Sequence, residues 1–339
     1  MTMPWIRTSA PGKLFLLGEY AVLEGAPALL SAVDRRVSVT IDQSSSWQIS
    51  APNLGIDTLT LGEDGRLPAG LDTRTRRQLR IYDAVREAVL ARAPRSCPPL
   101  SISIDSGELF LDGHKLGLGS SAAVAGALTA GLARARGLEL DQVVVFQLAH
   151  AAHRSAQGGA GSGGDVATSV YGGLILYSIG TDPLPMCWPE GLSIMAVVTG
   201  EGSETARLVG RVADYAARDE AQYSVDMARL AQLAASAEHA LGDPSSFLRL
   251  ATDYFEALAA LDAHARAGIV SERHHLLNVL AKREGGAFKT SGAVGDDVGL
   301  AFSYSGEPTE RLAAALAQAG ASVVPLGFGA DGLQGGSTS

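Results

Sequence analysis

The sequence is short of the features that mark several protein classes. It holds two cysteines, Cys97 and Cys187, and neither sits in a Cys-x-x-Cys pair. That argues against a disulfide framework and a cysteine zinc site, and points to two reduced thiols in a cytosolic setting. No run of about 18 apolar residues occurs, so nothing reads as a membrane-spanning helix. The opening stretch MTMPWIRTSAPGK lacks the apolar core of a secretory leader, which makes a cytoplasmic location the expectation. Positive charge is in deficit: 27 Lys and Arg stand against 36 Asp and Glu, a formal net charge of −9. Whole-chain attraction to nucleic acid or to an anionic membrane is therefore not expected. An anionic ligand would need a locally basic pocket instead. No internal repeat is present.

What remains is a chain of 339 residues, 46% hydrophobic. A single core rarely grows past about 250–300 residues, so one large domain or two coupled lobes are expected. The texture changes at the Pro-rich TDPLPMCWPEG, residues 181–191. Expected lobes are 1–185 and 186–330, followed by a flexible tail over 331–339. Strands are expected over 5–9 and 13–17, separated by a turn at Pro11-Gly12, then over 27–42 and 100–109, with loop over 51–72. Helices are expected over 75–93, 120–136 and 141–157, and over long alanine-rich stretches at 203–241 and 246–267. Strands near 172–178, 194–200, 300–304 and 321–326 and a helix over 308–319 complete the pattern.

Forty glycines are many, and they gather in short motifs. KLGLGSSAAVAGAL, residues 115–128, places Gly117, Gly119, Ser120 and Ser121 where a helix opens. Glycines let backbone approach a ligand closely, and the following helix points unpaired N–H groups back at the loop. That is an anion site, most simply for phosphate, with either serine able to cap the helix or to ligate Mg²⁺. A plain glycine turn with a serine cap would use the same residues. The loop has neither GxxxxGK[ST] nor the GxGxxG spacing of a dinucleotide fold. Two other loops raise the interest of the first. APGKLFLLGEYAVLEG (10–25) sets Lys13 in a strand that ends at Gly18-Glu19-Tyr20, and GSGGDVATSVYGG (161–173) sets Asp165 at a helix start, where an N-cap is the simplest role.

These motifs, with KTSGAVGDDVG at 289–299, resemble in order the three motifs of the GHMP kinase superfamily. The resemblance spans residues 10–302. Within the superfamily, GEYAVLE (18–24), AVDR (32–35), the AH and AQG around His153 and Gln157, and VYGG (170–173) resemble the phosphomevalonate kinase branch. VVTGEGSETARLVGRV (197–212) does so too, with Glu204 where that branch has serine.

The resemblance implies a two-lobed α+β fold. Its N-terminal lobe would carry a left-handed βαβ unit, an exception to right-handed crossovers, and its C-terminal lobe would be ferredoxin-like. It implies ATP-dependent phosphorylation of 5-phosphomevalonate to 5-diphosphomevalonate, with ATP and Mg²⁺ as cofactors. Lys13 and Asp165 would be catalytic. Lys115, Gly117, Leu118, Gly119, Ser120, Ser121 and Ala122 would hold the nucleotide, with Ser121 on Mg²⁺. Lys13, Glu19, Tyr20, His153, Arg154, Ser162, Gly163, Ser291 and Gly292 would bind the acceptor. Arg35, Arg36 and Lys289 are further basic candidates for its carboxylate and phosphate. Partners would be a small anionic substrate, no nucleic acid and no membrane, the protein being a monomer or homodimer.

Departures from the pattern keep alternatives open. Val294 and Asp296 stand where the third motif of the branch has glycine. The helix before Asp165, QLAHAAHRSAQ (147–157), contains no acid, whereas mevalonate kinases usually carry an acidic Mg²⁺ ligand there; this argues against mevalonate kinase, or else means that the metal is held differently. His150 and His153 lie three apart on that helix but lack an evident third ligand, so a structural reading is favoured over a metal site. A kinase with a hydroxyl acceptor, mevalonate kinase above all, is one alternative. A non-catalytic homologue that binds a nucleotide or small ligand is another.

Overall fold

A computed structural model describes residues 5–93, 97–111, 113–199, 205–292 and 298–337. Its first half builds a mixed sheet and the helices that cover it. In chain order these are β1 (Ile6–Leu17), β2 (Ala28–Gln43), β3 (Gln48–Ala51), β4 (Ile56–Thr60), α1 (Thr73–Gln78), α2 (Arg80–Arg92), β5 (Leu100–Asp105), the small ribbon β6 (Phe110–Leu111) and β7 (His114–Lys115), α3 (Ser120–Ala135), α4 (Gln142–Ala156), α5 (Gly164–Tyr171), β8 (Leu174–Tyr177) and β9 (Leu184–Met186). The second half holds β10 (Leu192–Val198), α6 (Thr205–Arg218), α7 (Glu220–Ala235), α8 (Ala237–Ala240), α9 (Pro244–Ala265), α10 (Glu272–Arg283), β11 (Ala287–Thr290), β12 (Val298–Tyr304), α11 (Glu307–Gln318), β13 (Ser322–Val324) and β14 (Gln334–Ser337).

The large sheet runs β14-β1-β2-β5-β3-β4, with β8 on the far end of β2 and β9 beside β8. The second sheet runs β11-β12-β10-β13, with antiparallel neighbours throughout. Taken in chain order its strands and helices read β-α-β-β-α-β in spatial order 4-1-3-2, the ferredoxin-like arrangement, with a helical cluster in the first crossover.

Three local expectations change. Pro11-Gly12 is not a turn: β1 continues through it, and the pairing with β2 shifts register there, from Pro11↔Arg36 to Gly12↔Val33. Proline has no N–H for the ladder, so a bulge is where a strand tolerates it. The segment 51–72 is not all loop, since β4 pairs with β3 inside it. The expected flexible tail is a strand: residues 334–337 pair antiparallel with β1, from Ser9↔Gln334 to Ile6↔Ser337.

That strand ends a strap that leaves the second sheet after β13 and returns to the first. Gly329 donates to Ala32 O at 2.9 Å, Gly173 donates to Ala330 O at 2.8 Å, and Leu333 donates to Val170 O at 2.9 Å. Arg36 clamps it, donating to Asp331 O at 2.8 Å and Gly332 O at 2.7 Å while also reaching Ser9 Oγ and O. The Arg36 guanidinium is thus engaged by the strap and by Ser9. Gly332 is required by proximity: a Cβ there would lie 2.3 Å from Val170 O.

Helix α3 is the hub of the first half and touches β1, β2, α2, α4 and α5. Twelve of its residues are buried, which explains its alanine and glycine content: neighbours press on it from several sides. A Cβ at Gly131 would meet Ile41 and Thr8 at 3.1 Å, and one at Gly126 would meet Val170 at 3.2 Å. Among the described residues no helix is long and apolar enough to cross a membrane.

The strap makes a prediction. Arg36→Ala should lower unfolding free energy by about 2–3 kcal/mol, the scale of hydrogen bonds from a charged donor, as read by urea titration. An unattached tail would leave the midpoint unchanged.

Candidate active site

The phosphate-type loop is set by contact with β1. A Cβ at Gly12 would lie 2.9 Å from Leu118 O, and the Lys13 N–H donates to that same carbonyl at 2.8 Å. The buried Leu118 pins the loop, with Gly117 on its near side at φ 67°. Gly119 is the N-cap of α3, in the left-handed region at φ 74°, ψ 37°. Of the two roles open to the serines, capping is therefore not the one they take: they occupy the first turn of the helix. A glycine cap supplies no side-chain acceptor, so the start of α3 is left for an outside anion. Ala122 is fully buried and its N–H donates to Gly119 O at 3.0 Å, so it packs the loop and offers no donor. Lys115 is exposed on β7.

Lys13 lies across this loop. A Cβ on Gly119 would come within 2.6 Å of Lys13 Cε, and the φ of 74° there already favours glycine. The ammonium sits 5.2 Å from the centre of the Phe15 ring. The side chain is 7% exposed, which brings its charge to the site with little water around it.

The aspartate loop follows the same logic. Gly163, at φ 88°, is the N-cap of α5, so Asp165 lies inside the first turn and is not the cap. Its Oδ1 accepts from Val166 N–H at 2.9 Å. Ser162 is buried; its carbonyl accepts from Tyr177 OH at 2.6 Å and its hydroxyl accepts from Gly164 N–H at 3.3 Å. A Cβ at Gly163 would lie 2.5 Å from His150 Nε2. Burial pushes the His150 imidazole below its ordinary value, opposed by the nearby charge of Asp165.

Helix α4 approaches both loops. His153 is buried, with Nε2 3.0 Å from Ser121 Oγ and 2.8 Å from Gln157 Nε2. Its partner in this structure is the first-turn serine of α3. Arg154 points to the next turn and donates to Gly159 O at 2.8 Å. Arg35 reaches Glu108 O at 3.5 Å, a long contact at the surface.

The largest departure concerns Glu19. It follows Gly18, whose φ of 97° and contact with Ala28 make a tight corner, and precedes Tyr20, whose φ of 62° is rare for a bulky side chain. The Glu19 carboxylate is buried and accepts from Lys289 Nζ at 2.5 Å. Lys289, on β11, also donates to Thr290 O and stands 5.8 Å from the Tyr254 ring centre. Tyr254 OH donates to Glu19 O at 2.9 Å. Burial pushes the Glu19 carboxyl up and the Lys289 ammonium down, and each is the main charge favouring ionisation of the other. Both side chains are enclosed and paired with each other in this structure. Tyr20 is buried next to them, and its phenol is pushed up by burial and by the charges of Asp262 and Glu19. Ser291 donates its hydroxyl to Phe15 O at 2.9 Å, and the Gly292 N–H approaches Glu19 Oε1 at 3.4 Å. Val294, Asp296 and Glu204 lie outside the described residues.

The site thus joins Lys13, the 117–121 loop, Ser121 and His153, with Asp165 and the 162–163 backbone packed on the same helix α4. It does not include Arg36, Glu19 or Lys289 as free groups. Sequence reasoning missed Tyr254, Tyr177 and the Glu19–Lys289 pairing, whose partners are 270 residues apart. Among the described residues no group of three or more His, Cys, Asp and Glu could hold a metal ion. Mg²⁺ fits nonetheless, because it keeps waters and takes most of its oxygens from a nucleotide, needing one or two from protein. The Ser121 oxygen, with its hydroxyl next to an imidazole nitrogen, is chemically able to be one.

The ion pair is testable by a double-mutant cycle. Glu19→Gln or Lys289→Met alone should cost about 3–5 kcal/mol, the scale for a buried charge left without its partner. The double variant should recover a large part of that loss in urea unfolding, whereas additive losses would rule out the coupling.

Residues 79–173 match the family described as GHMP kinases N terminal domain. The phosphomevalonate kinase of Streptomyces sp. (strain CL190) is 34% identical over 333 residues, covering 86% of this chain and 88% of that protein. A mevalonate kinase of Thermococcus sibiricus is 30% identical over 97% of this chain and 98% of its own length. The structure of Streptococcus pneumoniae phosphomevalonate kinase in complex with phosphomevalonate and AMPPNP superposes with a TM-score of 0.81 at 21% identity, over 95% of this chain and 99% of that one, which is a likeness of fold. The glycine loops, the lysine laid across the first of them and the full-length likeness to curated kinases lead to one assignment: the chain belongs to the GHMP kinase family.

Proposed function

We propose that this protein transfers the γ-phosphoryl group of ATP to the phosphate of (R)-5-phosphomevalonate, giving 5-diphosphomevalonate and ADP. The observation that carries the reading is the Lys13 side chain lying against Gly119 at the start of α3, which sets a buried cation beside a helix-end anion site. The 34% identity to a phosphomevalonate kinase over 86% of the chain supports the choice of acceptor.

Transfer of a phosphoryl group asks for alignment and charge neutralisation more than for covalent help. In this reading the loop N–H groups and the α3 dipole hold the nucleotide phosphates. Lys13 directs its ammonium to the transferring group and to the attacking oxygen. The bond from the γ-phosphorus to the bridging oxygen breaks as that from the acceptor phosphate oxygen forms, and ADP keeps the electron pair. Mg²⁺, held by Ser121 Oγ and the nucleotide, would supply further neutralisation of phosphate charge. The acceptor phosphate has a second pKa of about 6 and is already anionic near neutrality. No proton has to be removed, so Asp165 serves to position Lys13 and the acceptor. A small anionic substrate and a cytoplasmic location go with this reading.

A second reading, a hydroxyl acceptor such as mevalonate, is favoured by the full-length mevalonate kinase relative. In that case Asp165 would act as the base.

Coupled ADP release with Mg·ATP separates the two. Turnover is expected with 5-phosphomevalonate and not with mevalonate at equal concentration; turnover with mevalonate alone would overturn the proposal. Lys13→Ala should lower kcat by about 10²–10³-fold, the scale for one transition-state donor.

A further inference from the structure

Helix α4 carries His150 and His153 nearly one turn apart, and the two rings reach different loops. His150 packs against Gly163 of the aspartate loop, and His153 meets Ser121 of the phosphate loop. His153 is 3% exposed, so it has no open face for a large ligand. Gln157, four residues on, also addresses His153 Nε2, at 2.8 Å. With the ring proton on Nδ1, Nε2 has one lone pair to offer, and both the Ser121 hydroxyl and the Gln157 amide stand within reach of it. A serine that lends its oxygen to a cation must send its hydroxyl proton elsewhere, since the cation repels that proton. The imidazole nitrogen 3.0 Å from Ser121 Oγ is placed to receive it.

We propose that His153 is a positioning residue: it accepts a hydrogen bond from the Ser121 hydroxyl and so turns the Ser121 oxygen toward the nucleotide's divalent cation, without touching the acceptor. This rests on the kinase reading above and replaces the expectation that His153 binds substrate. Gln157 fixes the ring, and α4 becomes the spacer that holds the phosphate loop and the aspartate loop at one separation.

The test uses Mn²⁺ as the probe. Its binding to the protein with ADP and no acceptor is followed by the EPR signal of free Mn²⁺, and steady-state turnover is recorded against Mg²⁺ concentration. His153→Leu should weaken Mn²⁺ binding and raise the Mg²⁺ needed for half-maximal rate by about 10–100-fold, the range for losing a group that orients a metal ligand. The KM for 5-phosphomevalonate should change by less than about twofold, because the ligand orientation and not the acceptor contact is lost. His153→Gln, which can bring an amide oxygen near the same point, should recover most of the loss. In a Ser121→Ala background His153→Leu should add less than about twofold, since the two act as one unit. A higher acceptor KM with unchanged metal dependence would overturn the inference, and so would additive losses in the double variant. The Mn²⁺ experiment needs no turnover. A wild type that binds Mn²⁺ through Ser121 and His153 but phosphorylates neither acceptor defeats the kinase reading alone. A wild type that turns over with metal binding indifferent to His153 defeats this inference alone. Should His153→Leu fail to fold by thermal melting, His153→Asn, too short to reach Ser121, takes its place against His153→Gln.

Discussion

A glutamate and a lysine with no access to water hold the two halves of this protein in register. Glu19 stands at the end of β1, the strand that carries Lys13, and Lys289 stands on β11 of the second sheet. Separating such a pair would strand a charge in a low-dielectric interior, so the strand end and β11 must stay together. Lesser bonds follow the same seam: Ser291 to Phe15 O, Tyr254 to Glu19 O. The second lobe is thereby registered on the strand that positions the cation of the site.

Close packing of small residues sets the other half of the geometry. Gly12 lets the phosphate loop lie against β1, and Gly119 lets the Lys13 chain cross the loop. Helix α3 is alanine-rich because it is buried between the sheet and three helices, and this fixes the direction in which its N-terminus points. The loop combines a helix start that has no side-chain cap with a buried lysine laid against Gly119, an arrangement suited to an anion.

The chain then returns to the lobe it left. The strap from residue 325 onward crosses back to β1 and the Gly172-Gly173 turn that follows α5, so the helix bearing Asp165 is held at its C-terminal end by the last residues of the chain. Polar, glycine-rich composition made this stretch read as disordered. It is ordered because its backbone groups find a free strand edge and an arginine, which composition does not register. Arg36 was similarly legible as a basic residue near the site, but nothing local told that its donors face the strap.

By itself the sequence determined which short segments matter and what they are chemically. The order of glycine loops, the serine pair opening a helix, Lys13 in a strand and Asp165 at a helix start are local patterns, governed by backbone freedom and helix-end electrostatics that act over a few residues. The α3, α4 and β12 assignments were legible for the same reason, since periodic burial is a local signal. The tertiary structure decided which polar groups are spent on one another. Glu19 and Lys289 read as binding candidates and are each other's partner; His153 meets Ser121; Gly163, and not Asp165, caps α5. Hydrogen bonds and ion pairs form between whatever groups the fold brings within about 3 Å, and residues hundreds of positions apart leave no trace of that meeting in the chain between them.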